Sequence, residues 1–245
     1  MKKAIDVSYY QHNIDFDKVR KSGVECVIIR AGRGQNRIDE KFHQYIKDAI
    51  KVGMHIGIYW FSYAYTNDQA RHEALYCLQA IEPYRKYIDM PVFFDWEYDS
   101  FEKAQKQGVT PSKSLITSMN LIFCDTIQKS GYTAGYYLNL DYSKNYIDET
   151  QLKEYKRWFA RPVKTPQTNC YLWQYGVGNV LGVPVKVDLD ILNVELPKKS
   201  NDEIVAEVLK GFWGNGEDRK KRLTEAGYNY RQIQDMVNQV IKNGR

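Results

Sequence analysis

The stretch PVFFDWEY, residues 91–98, joins an apolar run to two acids. Residues 91–94 predict a buried β-strand. Asp95 and Glu97 follow where burial should still be high, and residues two apart in a strand point to the same face. Burying one unpaired carboxylate costs free energy, and burying two together costs more. The pair therefore indicates a functional site at the end of a strand.

Strand-like and helix-like segments alternate on both sides of this stretch. Five strand-like segments are each followed by a helix-like one, and three further strand-like segments follow with short connections: KAIDVS, CVIIRAG, HIGIYWFSY, PVFFDWE and TAGYYLN, then RWFARP, CYLWQYG and VDLDILN. Such alternation predicts parallel strands, and eight of them predict a closed barrel. The predicted fold is therefore α/β, a TIM-like barrel of five strand–helix units plus three further strands.

The chemistry of such barrels lies at the C-terminal ends of the strands. Acids stand there in the first, fourth and eighth predicted strands: Asp6, Asp95, Glu97, Asp188 and Asp190. Aromatic and amide side chains at other strand ends are predicted to bind substrate: Tyr59, Phe61, Tyr63, Tyr137, Asn139, Trp173 and Gln174. Since aromatic faces pack on the apolar faces of sugars, we predict an acidic site at the barrel opening, lined by aromatic residues that bind a saccharide.

Crowded carboxyls compete for protons, so at least one pKa should rise and leave a protonated acid near neutral pH. Glycoside hydrolysis needs such an acid to protonate the leaving oxygen, together with a second group that answers the developing positive charge. Carboxylates could instead bind magnesium or calcium. The chain lacks a P-loop and an HExxH motif, and the aromatic rim favours sugar. No metal and no cofactor are therefore predicted.

The composition sets further bounds. The net charge is +5, and the largest basic cluster, residues 219–222, favours a solvated helix face over nucleic-acid recognition. No segment approaches the roughly 20 apolar residues of a membrane span. Neither nucleic acid nor membrane is expected as a partner, and no obligate protein partner is predicted. The N-terminal MKKAIDVSYY does not resemble a secretory signal. The four scattered cysteines favour free thiols.

Residues 202–245 form a separate predicted unit. Pro197, Lys198 and Lys199 precede a segment with apolar stripes at helical spacing. We predict a catalytic barrel over residues 1–195, a linker over 196–201 and a small three-helix bundle over 202–245.

Six motifs in the barrel region carry a family resemblance: AIDVSYYQ, GIYWFSYA, PVFFDWE, GYYLN, LWQYG and VDLDILN. In this order they resemble the lysozymes of glycoside hydrolase family 25. The resemblance implies the same barrel and cleavage of the β-1,4 bond between N-acetylmuramic acid and N-acetylglucosamine in peptidoglycan. A non-catalytic wall-binding lectin and a chitinase-like glycosidase are the alternatives.

The resemblance also implies roles for the acids. Glu97 would be the proton donor. Asp95 would be its partner, either assisting the acetamido group of the substrate or acting as a base or nucleophile. Asp6 and Asp188 would complete the acidic site. The family more often has Asn where this chain has Asp190.

The C-terminal segment resembles the three-helix cell-wall-binding repeat of some phage lysozymes. An aromatic plate and a guanidinium suit a sugar acid and a peptide carboxylate, so Trp213, Arg222 and Tyr228 are the expected wall contacts. The expected partner is the glycan strand of bacterial peptidoglycan. The resemblance suggests an endolysin that is made in the host cytoplasm without a signal peptide and is then released to act on the wall.

Overall fold

The computed structural model describes residues 2–243; Met1 and residues 244–245, at the ends of the predicted barrel and bundle, lie outside the described residues. These described residues contain nine strands: β1 Lys2–Val7, β2 Val24–Arg33, β3 Arg37–Ile38, β4 His55–Phe61, β5 Val92–Asp95, β6 Ala134–Asn139, β7 Lys156–Ala160, β8 Leu172–Gly178 and β9 Val187–Leu192. The helices are α1 Phe16–Lys21, α2 Phe42–Lys51, α3 Asn67–Ile81, α4 Tyr98–Lys106, α5 Lys113–Lys129, α6 Asn201–Leu209, α7 Gly216–Glu225 and α8 Tyr230–Asn243.

Eight strands close into a barrel in the order β1-β9-β8-β7-β6-β5-β4-β2, and pairing of β1 with β2 completes the ring. The short β3 extends the sheet beside β2. The predicted barrel is therefore confirmed. The prediction of parallel strands is wrong for β9, which pairs antiparallel with both β1 and β8. Its connection from β8 is a short loop, and joining parallel strands requires a longer crossover.

The two faces of the sheet bury different residues, as the two-residue period of a strand requires. The barrel interior is filled by one cluster: Ala4, Cys26, Ile28, Tyr59, Met90, Phe93, Tyr137, Trp158, Ala160, Leu172 and Leu192. Gly135 makes room for this packing, because a Cβ there would lie 2.5 Å from the Phe93 ring and from the Lys156 carbonyl oxygen. The outer face packs against the helices in a second, larger cluster.

Side-chain hydroxyls cap α3 and α5 at their N-termini. The Thr66 hydroxyl accepts from the Gln69 N–H at 3.2 Å and caps α3. The Ser112 side chain accepts from the Leu115 N–H and caps α5. Helix α4 was not predicted, and it begins directly after Glu97.

The predicted C-terminal helices are present as α6, α7 and α8. Ser200 and Glu203 form a capping box at the start of α6. The helices bury Ile204, Val208, Leu223, Ile233 and Val237 between them and the barrel. The sequence stripes also included three residues that are about half exposed: Leu209, Val240 and Ile241.

The C-terminal helices pack on the barrel end opposite the C-terminal ends of its strands. Buried Glu207 of α6 accepts from Arg20 at 3.3 Å, from Lys199 at 2.6 Å and from the Trp213 indole at 2.9 Å. Lys210 donates to the carbonyl of Lys51 at 3.0 Å. Arg20 and Lys51 lie where α1 and α2 end and the next strands begin. Across residues 2–243, none of the helices is long and apolar enough to cross a membrane.

Candidate active site

Five carboxyls meet at the rim formed by the C-terminal ends of the parallel strands, and we call them the acid cup: Asp6, Asp95, Glu97, Asp188 and Asp190. Asp6 lies two residues after the interior residue Ala4 on β1, and Asp95 lies two residues after the interior residue Phe93 on β5, so both acids are on the interior face of their strands. Their electrostatic couplings link the two sides of the rim, because the charges of Asp188 and Glu97 both raise the pKa of Asp6. The structure therefore brings together all four acids given catalytic roles from the sequence.

The reversed direction of β9 explains how its two acids reach the rim. Asp188 lies near the start of β9 and is directly opposite Asp6 in the antiparallel register. Asp190 lies one interior position deeper, opposite Ala4, and accepts from the Trp158 indole at 2.8 Å. In a parallel strand these acids would stand at the other end of the barrel.

Asp95 and Glu97 occupy different local structures. Asp95 ends β5 and is 4% exposed, whereas Glu97 is the extended residue that precedes α4 and is partly exposed. The expectation that both acids lie in the strand is thus corrected, since Trp96 and Glu97 lie beyond its end. The two carboxyls contact each other as hydrogen-bond partners. Glu97 is the member of the pair that faces the opening.

Burial is the largest cause of raised pKa values throughout the acid cup. Burial and then the negative charge of Asp188 raise the pKa of Asp6 to about 8, although the amide of Gln174 donates to Asp6 at 2.9 Å and opposes the rise. The pKa values of Asp95 and Asp190 lie well above the usual range. Burial also raises the pKa of Glu97. The acid cup therefore retains protons at neutral pH.

Arg30 supplies a positive charge that was not singled out from the sequence. This residue of β2 is 5% exposed, and its Nε donates to Asp39 Oδ2 at 2.8 Å. Its charge lowers the pKa of Asp95 against the larger effects of burial and of Glu97. An arginine inside the apolar run CVIIRAG was the available signal, because a charged residue in a buried strand requires a partner.

The predicted substrate-binding residues of β4 and β6 lie at or near the cup. Tyr59 and Tyr137 are buried in the barrel interior, and the Tyr137 hydroxyl donates to Gln174 Oε1 at 3.2 Å. Phe61 and Tyr63 are partly exposed and stack edge to face with 5.2 Å between ring centroids. Asn139 donates to the Tyr98 hydroxyl at 3.4 Å.

Trp173 does not belong to this group, which corrects the sequence prediction. Its neighbours Leu172 and Gln174 point into the barrel, so Trp173 points outward and packs with the outer cluster. Its indole donates to the carbonyl of Arg161 at 2.8 Å. Conversely, Tyr98 was not named as a site residue, and it is 49% exposed directly beside Glu97. Its position directly after Glu97 in residues 91–98 could have identified it.

The three predicted wall contacts lie where the C-terminal helices meet the barrel. Trp213 is 5% exposed, with the guanidinium groups of Arg20 and Arg222 each 5.8 Å from its ring centroid. The expectation that Trp213 offers an open aromatic plate is therefore wrong in this arrangement. Tyr228 is partly buried, and its hydroxyl donates to the carbonyl of Lys199 at 3.2 Å. Arg222 remains partly exposed. These residues border a cavity of about 480 Å³ between the helices and the barrel.

Residues 5–182 match the sequence model of glycosyl hydrolases family 25, and the chain belongs to this family. Residues 202–241 match the CW_7 repeat. Both resemblances inferred from the sequence motifs are confirmed. The first match spans most of the barrel and includes three members of the acid cup, Asp6, Asp95 and Glu97, while the second covers most of the three C-terminal helices.

Two curated relatives and one solved structure illustrate the similarity. The chain is 27% identical over 203 residues to a lysozyme of Streptococcus phage Cp-7, and 28% identical over 194 residues to an autolytic lysozyme of Clostridium acetobutylicum. These alignments cover 76% and 77% of this chain, and the chain spans only 55% of the length of each relative. The crystal structure of the CTP1L endolysin is similar in fold, with a TM-score of 0.65 at 22% identity over 85% of this chain and 70% of that one.

Proposed function

We propose that this chain is a muramidase that hydrolyses the β-1,4 bond between N-acetylmuramic acid and N-acetylglucosamine in bacterial peptidoglycan. The observation that carries the proposal is the acid cup, in which buried carboxyls hold protons beside Glu97 at the opening. Membership of glycosyl hydrolases family 25 and the lysozyme names of both relatives support the same reaction.

Glu97 is the general acid in this proposal. Its carboxyl is partly exposed at the rim, so it can reach a glycosidic oxygen, and its raised pKa keeps the acid form populated. Asp95 lies behind it and shares a hydrogen bond with it, which allows the proton held by the pair to pass to Glu97. Because Asp95 is 4% exposed, its position favours a supporting role over direct attack on the anomeric carbon.

Asp188, which is less buried than Asp6, contributes negative charge where the sugar becomes positively charged, whereas the pKa of about 8 leaves Asp6 mostly protonated at neutral pH. The transition state of glycoside hydrolysis resembles an oxocarbenium ion, and a fixed carboxylate lowers its energy most in a site with little water. Gln174 and Trp158 fix Asp6 and Asp190 by hydrogen bonds at 2.9 and 2.8 Å. Because these hydrogen bonds hold the two carboxyl groups in place, the groups need not reorient during the reaction.

Exposed aromatic rings on one side of the opening provide the sugar platform. Tyr98 is 49% exposed next to the proposed acid, and Phe61 and Tyr63 are partly exposed at the end of β4. Aromatic faces offer large contact areas with little loss of side-chain entropy. They would hold the saccharide chain across the acid cup.

The products of digestion test the reaction directly. Purified peptidoglycan is digested, reduced with borohydride and analysed by mass spectrometry. A muramidase generates new muramitol ends, and Glu97→Gln abolishes them, whereas Glu102→Gln, which changes an exposed acid on the same α4 helix, retains them. Binding without new reducing ends would favour a lectin, and release from chitin alone would favour a chitinase-like enzyme; either result would overturn the muramidase.

The C-terminal unit, proposed as residues 202–245 after a linker at 196–201, serves in this proposal to hold the enzyme on the cell wall. The match to the CW_7 repeat supports the role. A weak site tethered to the barrel raises the effective concentration of the enzyme at a repeating polymer. The enzyme would thus act while bound to peptidoglycan strands outside the bacterial membrane.

Arg222 is a proposed wall contact whose side chain is partly exposed. Cosedimentation of full-length Arg222→Ala with purified walls should retain several-fold less protein than wild type, while Arg231→Ala, an exposed arginine on α8, should match wild type. Equal binding by the Arg222 variant would remove this contact from the proposal.

A further inference from the structure

A line of hydrogen bonds connects the proposed acid to a segment outside the acid cup. The Glu97 N–H donates to the hydroxyl of Ser100 at 3.0 Å. That hydroxyl donates to the carbonyl of Ser62 at 2.6 Å. Both serines are fully buried. The position of the Glu97 backbone therefore depends on the residue that follows strand β4.

Ser62 is itself tied to the other half of the acid pair. Its N–H donates to the carbonyl of Asp95 at 2.7 Å, so the same residue contacts the segments that carry both acids. Its hydroxyl accepts from the Ala64 N–H at 3.1 Å, and the carbonyl of Ala64 accepts from the Trp96 indole at 2.8 Å. A shift of Ser62 would change the spacing between Asp95 and Glu97.

The loop is braced from behind by a buried acid on α3. Glu73 is fully buried, and its Oε1 accepts from the Tyr63 N–H at 3.2 Å and from the amide of Gln35 at 3.1 Å. The Ser62 hydroxyl also faces this carboxyl. Glu73 thus joins the end of β4 to the loop after β2 on the rim of the cup.

Glu73 is a costly residue for a purely structural position. Burial raises its pKa to about 7, and among residues 2–243 the groups that act on it are hydrogen-bond partners, without an opposing cation. An apolar residue would avoid this cost but could not accept the Tyr63 and Gln35 hydrogen bonds. The acid does not touch the substrate opening, so any effect on catalysis passes through the loop.

On the basis of the muramidase function proposed above, we propose that Glu73 and Ser100 are positioning residues that set the placement of Glu97 relative to Asp95 through Ser62. Loss of the Ser100 contact lowers kcat and leaves KM nearly unchanged, because Ser100 does not hold the aromatic rim, whereas loss of Glu73 also releases Tyr63 of the sugar platform and changes both kcat and KM. Either loss also moves the pH dependence of the reaction, because the proton shared by the acid pair depends on their spacing.

The test measures kcat, KM and the pH profile of the full-length enzyme on soluble, uncrosslinked glycan strands. Ser100→Ala should lower kcat by about 10-fold to 100-fold, with KM within about twofold of wild type and a displaced alkaline limb. Ser112→Ala is the matched control, since it removes a serine cap from α5 away from the cup. Its kcat and pH profile should match those of wild type.

Glu73 provides an independent pair of variants. Glu73→Gln retains an acceptor oxygen for Tyr63 and Gln35, so it should keep most of the activity that Glu73→Leu loses. The positioning role is overturned if Ser100→Ala has wild-type kcat and pH profile, or, should that variant not fold, if the Gln and Leu variants have the same kcat. An inactive wild-type enzyme would instead overturn the proposed function itself.

Discussion

Replacing buried Glu73 by Gln should make the stability of the protein less sensitive to pH. The carboxyl has an ordinary pKa of 4.5 when unfolded, and burial raises the pKa to about 7 in the folded chain. The folded state therefore holds an extra proton between these values. The stability due to Glu73 is fully present below pH 4.5 and is lost as pH rises through about 7.

The size of the effect follows from the two pKa values. Each pKa unit corresponds to 1.36 kcal/mol, so their difference corresponds to about 3 kcal/mol of unfolding free energy. Because the side chain is fully buried, this value needs no discount for solvent screening. Near pH 4, the difference in unfolding free energy between wild type and Glu73→Gln should not vary with pH. By pH 8 the variant should have gained about 3 kcal/mol relative to wild type, or roughly 6 to 12 °C in Tm.

The assay is urea denaturation at pH 5, 6, 7 and 8, with the comparison made between variants because the acids of the cup also titrate. Glu102→Gln, at an exposed position on α4, serves as the control and should show a difference from wild type that does not vary with pH. If the Glu73→Gln difference is equally constant from pH 5 to 8, the carboxyl does not titrate in this range and the reasoning is refuted.

Three further substitutions test the packing and the charges. Gly135→Ala places a methyl group 2.5 Å from the Phe93 ring and should lower the unfolding free energy by about 1–3 kcal/mol in urea; unchanged stability would contradict the packing of the barrel interior. Asp190→Asn keeps an acceptor for Trp158 while it removes a buried acid with a raised pKa, so its stability relative to wild type should increase from pH 5 to pH 8; a decrease would show that the acid is stabilising. Glu207→Leu leaves Arg20 buried without its partner at a cost of about 3–5 kcal/mol, and limited proteolysis of residues 193–200 should accelerate; cleavage at the wild-type rate would argue against the contact.

The barrel was predictable because its strands are nearly continuous apolar runs. Segments such as CVIIRAG and PVFFDWE are buried on both faces, and each early strand is followed by an amphipathic helix. The convergence of Asp6 and Asp95 followed from the geometry of such barrels, in which the carboxyl ends of parallel strands share one rim. These inferences required only the order and the type of the elements.

Other features depend on directions that a single strand does not reveal. Trp173 and Gln174 are adjacent, and which of them enters the barrel depends on the register with neighbouring strands. The antiparallel course of β9 similarly depends on the hairpin that precedes it. Asp188 and Asp190 were placed correctly at the rim although the reason assumed a parallel strand.

Tertiary partners account for the remaining differences. Glu73 lies on a helix whose other acid, Asp68, faces solvent, and its burial arises from contacts with Gln35 and Tyr63 in distant segments. Considered by its residue type alone, Trp213 is a good candidate for a sugar contact. In the structure its ring packs at the junction with the barrel, where it contacts Glu207 and Arg20. Local sequence does not specify such long-range partners.

The central claim is that crowding in the acid cup keeps a proton available to Glu97 near neutral pH, and the pH dependence of kcat/KM on soluble glycan strands tests it most directly. A general acid loses activity as pH rises through its pKa, so the raised pKa of Glu97 predicts an alkaline limb above the ordinary glutamate value of 4.5, which Glu97→Gln removes together with the activity. Activity that falls through pH 4 to 5, or an unchanged profile in Glu97→Gln, would contradict the account.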